Sequence, residues 1–203
     1  GQFNDYDAAR ILSEPLRVLT RGGLRRLLSL ALRHYNESLA LKILNLGICN
    51  SEFVFTEVLK HYPNCDERNL TVLHKGIDLS EFSTLTLKSS AARSKNDLLF
   101  VGSNWVGKGL DIAIQAMSQL PTHLNHINFK IAGKSNSESH MRRLTEKLGL
   151  SDRVKFLGNV ARADLPELMA NSSVLVFPSH NEALGVTVIE AVASGLPVIA
   201  SNT

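Results

Sequence analysis

The sequence predicts an α/β protein whose core is a doubly wound parallel sheet. From residue 97 onward, short apolar runs alternate with stretches of helical periodicity. The strands are predicted at 97–101, 127–132, 154–157, 174–178 and 197–200, and the helices at 107–120, 137–148, 165–170 and from residue 184 or 185. This alternation favours parallel strands connected by helices over a barrel or a layout with segregated helices and strands. The loops that follow the strands should therefore open on one edge of the sheet.

The first predicted element is a basic amphipathic helix over residues 15–42. Apolar residues recur at spacings of three and four, as at Leu24, Leu28, Ala31 and Tyr35, and arginines crowd the other face. Two interpretations remain open. The helix packs its apolar face into the core and leaves its charges in water, which is the ordinary arrangement. Alternatively, it lies at a membrane surface and attracts anionic lipid.

A strand, a helix and a second strand are predicted next. Residues 46–49 form a short apolar run that indicates a buried strand, and Asn50 or Ser51 is a suitable N-cap for a helix reaching residue 62. A further strand follows at 70–73. The stretch 83–96 is rich in serine, threonine and lysine without an apolar period, which is typical of a linker or surface excursion.

The composition excludes some classes of function. The 203 residues, 44% of them hydrophobic, are enough to bury a core. A net charge of +3 without an aromatic-studded basic stripe argues against a nucleic-acid partner. Cys49 and Cys65 fit neither a disulfide framework nor a metal cluster and indicate a reducing compartment. No apolar run of about 18 residues is present, so no membrane-spanning helix is predicted.

The most informative stretch runs from residue 180 to residue 197. It carries two carboxylates, Glu182 in a loop after a predicted strand and Glu190 inside the helix that follows. That helix should begin at Leu184 or Gly185, where free N–H groups and the helix dipole favour an anion such as a phosphate. At about 1.5 Å per residue, Glu190 lies about 8 Å further along the axis. A ligand with a phosphate and flanking hydroxyls would meet one carboxylate at each end.

A second loop resembles a nucleotide-binding P-loop in spacing only. Gly102, Gly107 and Lys108 satisfy the spacing, but Gly109 stands where a serine or threonine must hold Mg²⁺. No predicted strand ends in the aspartate of a Walker B element, so a nucleoside triphosphatase is excluded. A lysine at a helix start opposes the helix dipole, which an anion close to Lys108 would relieve.

Other candidate sites fail. His123 and His126 lie in a polar connection with no nearby carboxylate or thiol, so no metal site is predicted. Ser179 and His180 do not belong to a Gly-x-Ser-x-Gly motif, which leaves a hydrolase triad unsupported.

The carboxylate pair carries a family resemblance. Glu182 and Glu190 are followed by Ala191, a small residue, a glycine and Pro197. This pattern resembles the signature of the retaining group-1 glycosyltransferases, which have a GT-B fold of two Rossmann-like domains. Lys108 and Gly109 after a Val-Gly strand end also fit, as does the Gly-Ile-Asp…Phe string at residues 76–82. Ser103 departs from the arginine that many members carry, but resembles a subset near the lipopolysaccharide-core glucosyltransferases.

The resemblance implies an activity and a set of site residues. The activity is retaining transfer of a sugar from a nucleotide diphosphate sugar to an acceptor hydroxyl, without a cofactor, and with a UDP-sugar favoured over a GDP-sugar. Lys108 would neutralise the diphosphate, Glu182 would hold the donor sugar, and Glu190 would bind the ribose. The implied donor-binding residues besides these three are Gly102, Ser103, Gly133, Gly158, Val160, Ala183, Leu184, Gly185 and Val186.

The resemblance also implies a domain organisation. Residues 1–75 would be the tail of an acceptor-side domain, 76–96 a linker, and 97–203 an incomplete donor-binding domain. The acceptor would be a glycan or a lipid-linked saccharide, and the location cytoplasmic or at the inner face of the membrane. Because the acceptor side is incomplete, we expect the isolated chain to bind donor weakly and not to turn it over. A non-catalytic nucleotide-sugar-binding module and an epimerase-like enzyme remain alternatives.

Overall fold

A computed structural model describes residues 21–78, 80, 82 and 96–202. The chain divides into two compact units, Gly1–Lys75 and Gly76–Thr203. Within the described ranges, no helix is both long enough and apolar enough to cross a membrane.

In its described residues, 21–75, the first unit contains two helices and a small parallel sheet. The elements in chain order are helix α1 (Arg21–Lys42), strand β1 (Gly47–Cys49), helix α2 (Glu52–His61) and strand β2 (Leu70–Val72). Strands β1 and β2 pair in parallel, with Gly47 opposite Leu70. Ser51 caps α2, because its side chain accepts a hydrogen bond from the N–H of Val54 at 3.2 Å. Residues 15–20 of the predicted first helix lie outside the described residues.

Much of the apolar surface of the first unit is exposed, contrary to the expectation of a buried strand. The predicted strand at 46–49 is not buried as a whole, since Ile48 is exposed and Cys49 is the buried residue. The apolar stripe of α1 does not pack into a core within the described residues, and it comprises Leu28, Leu32, Tyr35 and Leu39. The opposite side of α1 is the packed one, where the ring of His34 stacks on Tyr62 with centroids 4.9 Å apart.

The second unit is a five-stranded parallel sheet flanked by helices. Its strands are β3 (Asp97–Val101), β4 (Asn128–Ala132), β5 (Val154–Gly158), β6 (Val174–Phe177) and β7 (Val198–Ala200). The intervening helices are α3 (Leu110–Ser118), α4 (Glu138–Lys147), α5 (Leu165–Ala170) and α6 (Val186–Ala193). The strand order is β5-β4-β3-β6-β7, which confirms the doubly wound sheet. The winding direction reverses between β3 and β6, where open α/β sheets form a crevice.

Each face of this sheet buries its own hydrophobic core. Neighbouring residues of a strand point to opposite faces, so Phe100 enters one core and Leu99 the other. Phe82 is fully buried in the Leu99 core together with Met169 and Leu175. The rest of the predicted linker falls largely on residues 79, 81 and 83–95, which lie outside the described residues.

Two elements of this unit differ from their predictions. Helix α3 begins at Leu110 and not at residue 107, because Gly109 adopts a left-handed conformation with φ 65° and caps the helix. The apolar run predicted as the last strand is not buried as a whole, since Ile199 is exposed. The reason is that β7 is the outer strand of the sheet, with β6 as its partner.

Replacing Phe82 should destabilise the second unit. Phe82→Ala leaves a cavity in a fully buried position, which costs about 3–5 kcal/mol of the free energy of unfolding. Urea unfolding followed by circular dichroism measures this loss. The control Ile112→Ala, at an exposed position on α3, should cost less than about 1 kcal/mol. Equal effects of the two substitutions would show that Phe82 is not part of this core.

Candidate functional site

The candidate site lies where the loops after β3 and β6 meet at the carboxyl edge of the sheet. The N–H of His180 in the second loop donates to the carbonyl of Gly107 in the first at 3.0 Å. A Cβ atom at Gly109 would lie 2.0 Å from the carbonyl oxygen of Pro178. The two loops therefore touch through their backbones at the point where the strand order reverses, as the parallel topology predicts.

Lys108 and Glu182 face each other across these loops. The Lys108 Nζ is 2.8 Å from Glu182 Oε2, and the two side chains are 22% and 24% exposed. The hydroxyl of Ser179 donates to the same carboxylate oxygen at 3.4 Å, and the ammonium lies 4.7 Å from the centroid of the Phe177 ring. The anion expected to relieve Lys108 is thus supplied in this structure by Glu182.

The position of Lys108 depends on Gly102. A Cβ atom at Gly102 would lie 2.5 Å from Cδ of Lys108, so the lysine stem passes directly over this glycine. The carbonyl of Gly102 accepts a hydrogen bond from Nε1 of the fully buried Trp105 at 2.8 Å. Sequence reasoning missed Trp105, although the only tryptophan of the chain stands in this loop. Ser103, the predicted neighbour, is exposed.

Three predicted glycines lie side by side at the ends of β3, β4 and β5. Gly133 has φ 121°, and a Cβ atom there would lie 2.0 Å from the carbonyl oxygen of Gly102. Its N–H donates to the carbonyl of Gly158 at 2.7 Å, and Gly158 has φ 71°. Val160 follows as a half-buried residue. Close backbone approach, which only a residue without Cβ allows, explains the glycine at 133, whereas the neighbour of Gly102 is the side chain of Lys108.

The start of α6 lies in the second loop. Gly185 caps the helix in a left-handed conformation with φ 65°, and Val186 is its first residue, so the helix begins one residue after the later of the two predicted starts. Within the described part of the chain, the N–H groups of residues 183–186 have no backbone acceptor. They are the free donors expected at a helix N-terminus, where the dipole favours negative charge.

Glu190 is buried and paired with a residue that sequence reasoning missed. Its side chain is 3% exposed, and Oε1 accepts a hydrogen bond from Nη1 of Arg162. Arg162 lies in a short turn after β5, is 54% exposed, and has its guanidinium carbon 5.1 Å from the centroid of the Phe82 ring. A buried carboxylate needs a cation, and Arg162 is the only basic residue between β5 and α5. That requirement could have identified it.

The structure thus gives the two carboxylates different partners. Glu182 is held by Lys108 from the loop after β3, and Glu190 by Arg162 from the turn after β5. His123 and His126 are exposed in the connection before β4. Among residues 21–78, 80, 82 and 96–202, no group of three or more histidine, cysteine, aspartate or glutamate side chains is placed to hold a metal ion.

Residues 84–203 match the model of the family described as glycosyl transferases group 1. The chain belongs to this family. This glycosyl transferase chain is 36% identical over 112 residues to the lipopolysaccharide glucosyltransferase WaaG of Escherichia coli K12, covering 55% of the chain and 29% of that relative. It is 31% identical over 171 residues to the D-inositol 3-phosphate glycosyltransferase of Streptomyces bingchenggensis, covering 76% of the chain and 37% of the relative.

Solved structures of glycosyltransferases share the fold. The crystal structure of WaaG matches with a TM-score of 0.65 and 27% identity, over 76% of this chain and 44% of that one. Anabaena HepE in complex with UDP and glucose matches with a TM-score of 0.64 and 27% identity, over 81% and 46%. The chain spans 29% and 37% of the length of the two curated relatives.

Gly133→Ala should distort the site edge. The substitution places a Cβ atom against the carbonyl of Gly102 and imposes a backbone conformation that alanine rarely adopts. We expect a loss of at least about 3 kcal/mol in the free energy of unfolding, measured by urea denaturation.

Gly149→Ala separates the cost of the left-handed conformation from the cost of a steric clash. Gly149 also has a positive φ, 67°, but a Cβ atom there meets nothing within 4 Å. This variant should lose about 1–2 kcal/mol, the cost of the left-handed conformation alone. If both variants lose the same amount, the close approach of Gly133 to Gly102 is not a constraint on the fold.

Proposed function

We propose that this chain carries the donor site of an enzyme that transfers a sugar from a nucleotide diphosphate sugar to an acceptor hydroxyl with retention of configuration. The observation that supports it best is the convergence of Lys108, Glu182 and the start of α6 at the reversal point of the sheet. In a chain of this family, a cation, a carboxylate and free helix amides at that crevice fit a sugar diphosphate.

The diphosphate is assigned to Lys108 and to the amides of Ala183, Leu184, Gly185 and Val186. Sugar transfer builds negative charge on the departing diphosphate, and donors fixed in advance stabilise that charge without reorganisation. In this structure Lys108 is paired with Glu182 at 2.8 Å. A phosphate that replaces the carboxylate as partner of Lys108 leaves Glu182 free to accept hydrogen bonds from the sugar hydroxyls.

The nucleoside is assigned to the other end of the site. Glu190 accepts the ribose hydroxyls through a charged acceptor, which is the stronger kind of hydrogen bond. Gly133, Gly158 and Val160 form the edge along which the base lies. Gly158 is the open position of this edge, because a Cβ atom there would meet only Cε of Lys134, at 3.8 Å. Gly102 and Ser103 line the diphosphate side. Anabaena HepE, whose structures were solved in complex with UDP and glucose and with UDP-glucose, supports a UDP-sugar over a GDP-sugar.

No cofactor or protein nucleophile is part of this proposal. The described carboxylates Glu182 and Glu190 are each engaged by a cation, and each is assigned to hydroxyl recognition. The favoured route is attack by the acceptor hydroxyl on the face from which the diphosphate departs. The contribution of the protein is then to orient the donor and to stabilise the leaving group.

The acceptor side is assigned to residues 1–75 and the donor side to 97–203. The acceptor is a glycan or a lipid-linked saccharide, and helix α1 provides peripheral contact with the inner face of a membrane. Its exposed apolar stripe of Leu28, Leu32, Tyr35 and Leu39 supports this, as do the exposed Arg25, Arg33 and Lys42 on the same helix. Exposed apolar and basic residues together favour an anionic lipid surface.

Removing Glu190 should weaken nucleotide binding. Glu190→Ala should lose on the order of 1.5–3 kcal/mol of UDP-glucose affinity, the contribution of a hydrogen bond to a charged group. Calorimetric titration measures it. The matched control is Glu167→Ala, an exposed carboxylate on α5, which should bind as the unmodified chain does. Unchanged affinity of Glu190→Ala would remove this residue from the donor site.

The 203-residue chain should bind donor weakly and transfer no sugar. The reason is that the chain spans only 29% and 37% of the length of the two curated relatives that it matches. An assay of UDP release, run with and without a glycan acceptor, checks this. Transfer to the acceptor would contradict the expectation, and UDP release without any acceptor would favour an epimerase-like reaction instead.

A further inference from the structure

The carboxylate assigned to the ribose is covered by a neighbouring side chain. Glu190 is 3% exposed, so a ligand cannot reach it in this conformation. The guanidinium of Arg162 contacts Oε1 of Glu190, and the arginine side chain is 54% exposed, so a side chain that reaches water forms part of the cover over the buried carboxylate. A ligand that hydrogen-bonds to Glu190 must therefore first displace the guanidinium of Arg162.

The geometry points to Arg162 as an affinity-determining residue of the donor site. Its guanidinium covers Glu190 in this structure and must turn away before ribose hydroxyls can bind there. This inference rests on the proposed function, since it takes Glu190 as the ribose-binding group. Moving Arg162 away from Glu190 costs free energy, so the donor binds more weakly than the assigned contacts alone would allow.

The contacts of Arg162 are few enough for such a movement. Its guanidinium holds Glu190 on one side and lies 5.1 Å from the Phe82 ring centroid on the other. The remaining side-chain surface faces water, and the residue stands in a turn of three residues, Arg162–Asp164, between β5 and α5. The movement therefore breaks one part-exposed ion pair and one cation–π contact, while the helix that carries Glu190 stays in place.

In a second arrangement, Arg162 remains on Oε1 of Glu190 and the ribose uses the other carboxylate oxygen. It requires an open path to the second oxygen, and a side chain that is 3% exposed does not provide one. The two arrangements predict opposite effects of removing the arginine. If the guanidinium covers Glu190, its removal strengthens binding, and if it positions Glu190 for a shared contact, its removal weakens binding.

The test compares UDP affinity of the unmodified chain, Arg162→Ala and Arg162→Lys by calorimetric titration at pH 8.5. Arg162→Ala should bind UDP about three- to thirtyfold more tightly, the factor that corresponds to one part-exposed ion pair and one cation–π contact. Arg162→Lys, which can still pair with Glu190, should stay close to the unmodified chain. Arg143→Ala removes the same charge from an exposed position on α4 and should change nothing.

A ligand without the ribose hydroxyls tests whether the effect acts through Glu190. With 2′,3′-dideoxyuridine diphosphate, the gain of Arg162→Ala should disappear. An equal gain with both ligands, or equal or weaker UDP binding by Arg162→Ala, overturns the inference while the proposed function stands. If the unmodified chain and every variant fail to bind UDP, the donor assignment fails and the inference with it. Arg162→Gln replaces Arg162→Ala if the alanine variant does not fold.

Discussion

Close backbone contact at the carboxyl edge of the sheet is the constraint on which the rest of the site depends. Gly133 approaches the carbonyl of Gly102, and Gly109 approaches the carbonyl of Pro178, each at a distance that no Cβ atom tolerates. These approaches join the ends of neighbouring strands to the loops after β3 and β6. The side chains of Lys108 and Glu182 meet because the backbones of these two loops are in contact.

The charged side chains of the site form ion pairs with one another. Lys108 neutralises Glu182, and Arg162 neutralises Glu190. The carboxylate of the second pair is the more buried, so it has the greater need of its cation. An anionic ligand entering such a site exchanges one set of ion pairs for another, and does not simply fill an empty charged pocket. The net electrostatic gain is therefore smaller than the number of charges suggests.

Much of the fold could be predicted from the sequence because its signals are local. The strand at 97–101 and the helix at 165–170 have their predicted bounds, since apolar runs and helical periodicity record them directly. The start of α3 was wrong, because it depends on a left-handed Gly109 that packs against a distant loop. Helical periodicity identified an apolar stripe on α1, but it does not specify which surface this stripe contacts. Arg162 was missed because its partner is 28 positions away in the sequence.

The single tryptophan gives the chain an internal optical probe. Trp105 is fully buried and donates its indole N–H to the carbonyl of Gly102. The side chain of Lys108 passes over the same glycine. Its emission therefore depends on the shape of the loop between β3 and α3, with no other indole in the chain to obscure it. Rearrangement of that loop should be visible in solution without any attached label.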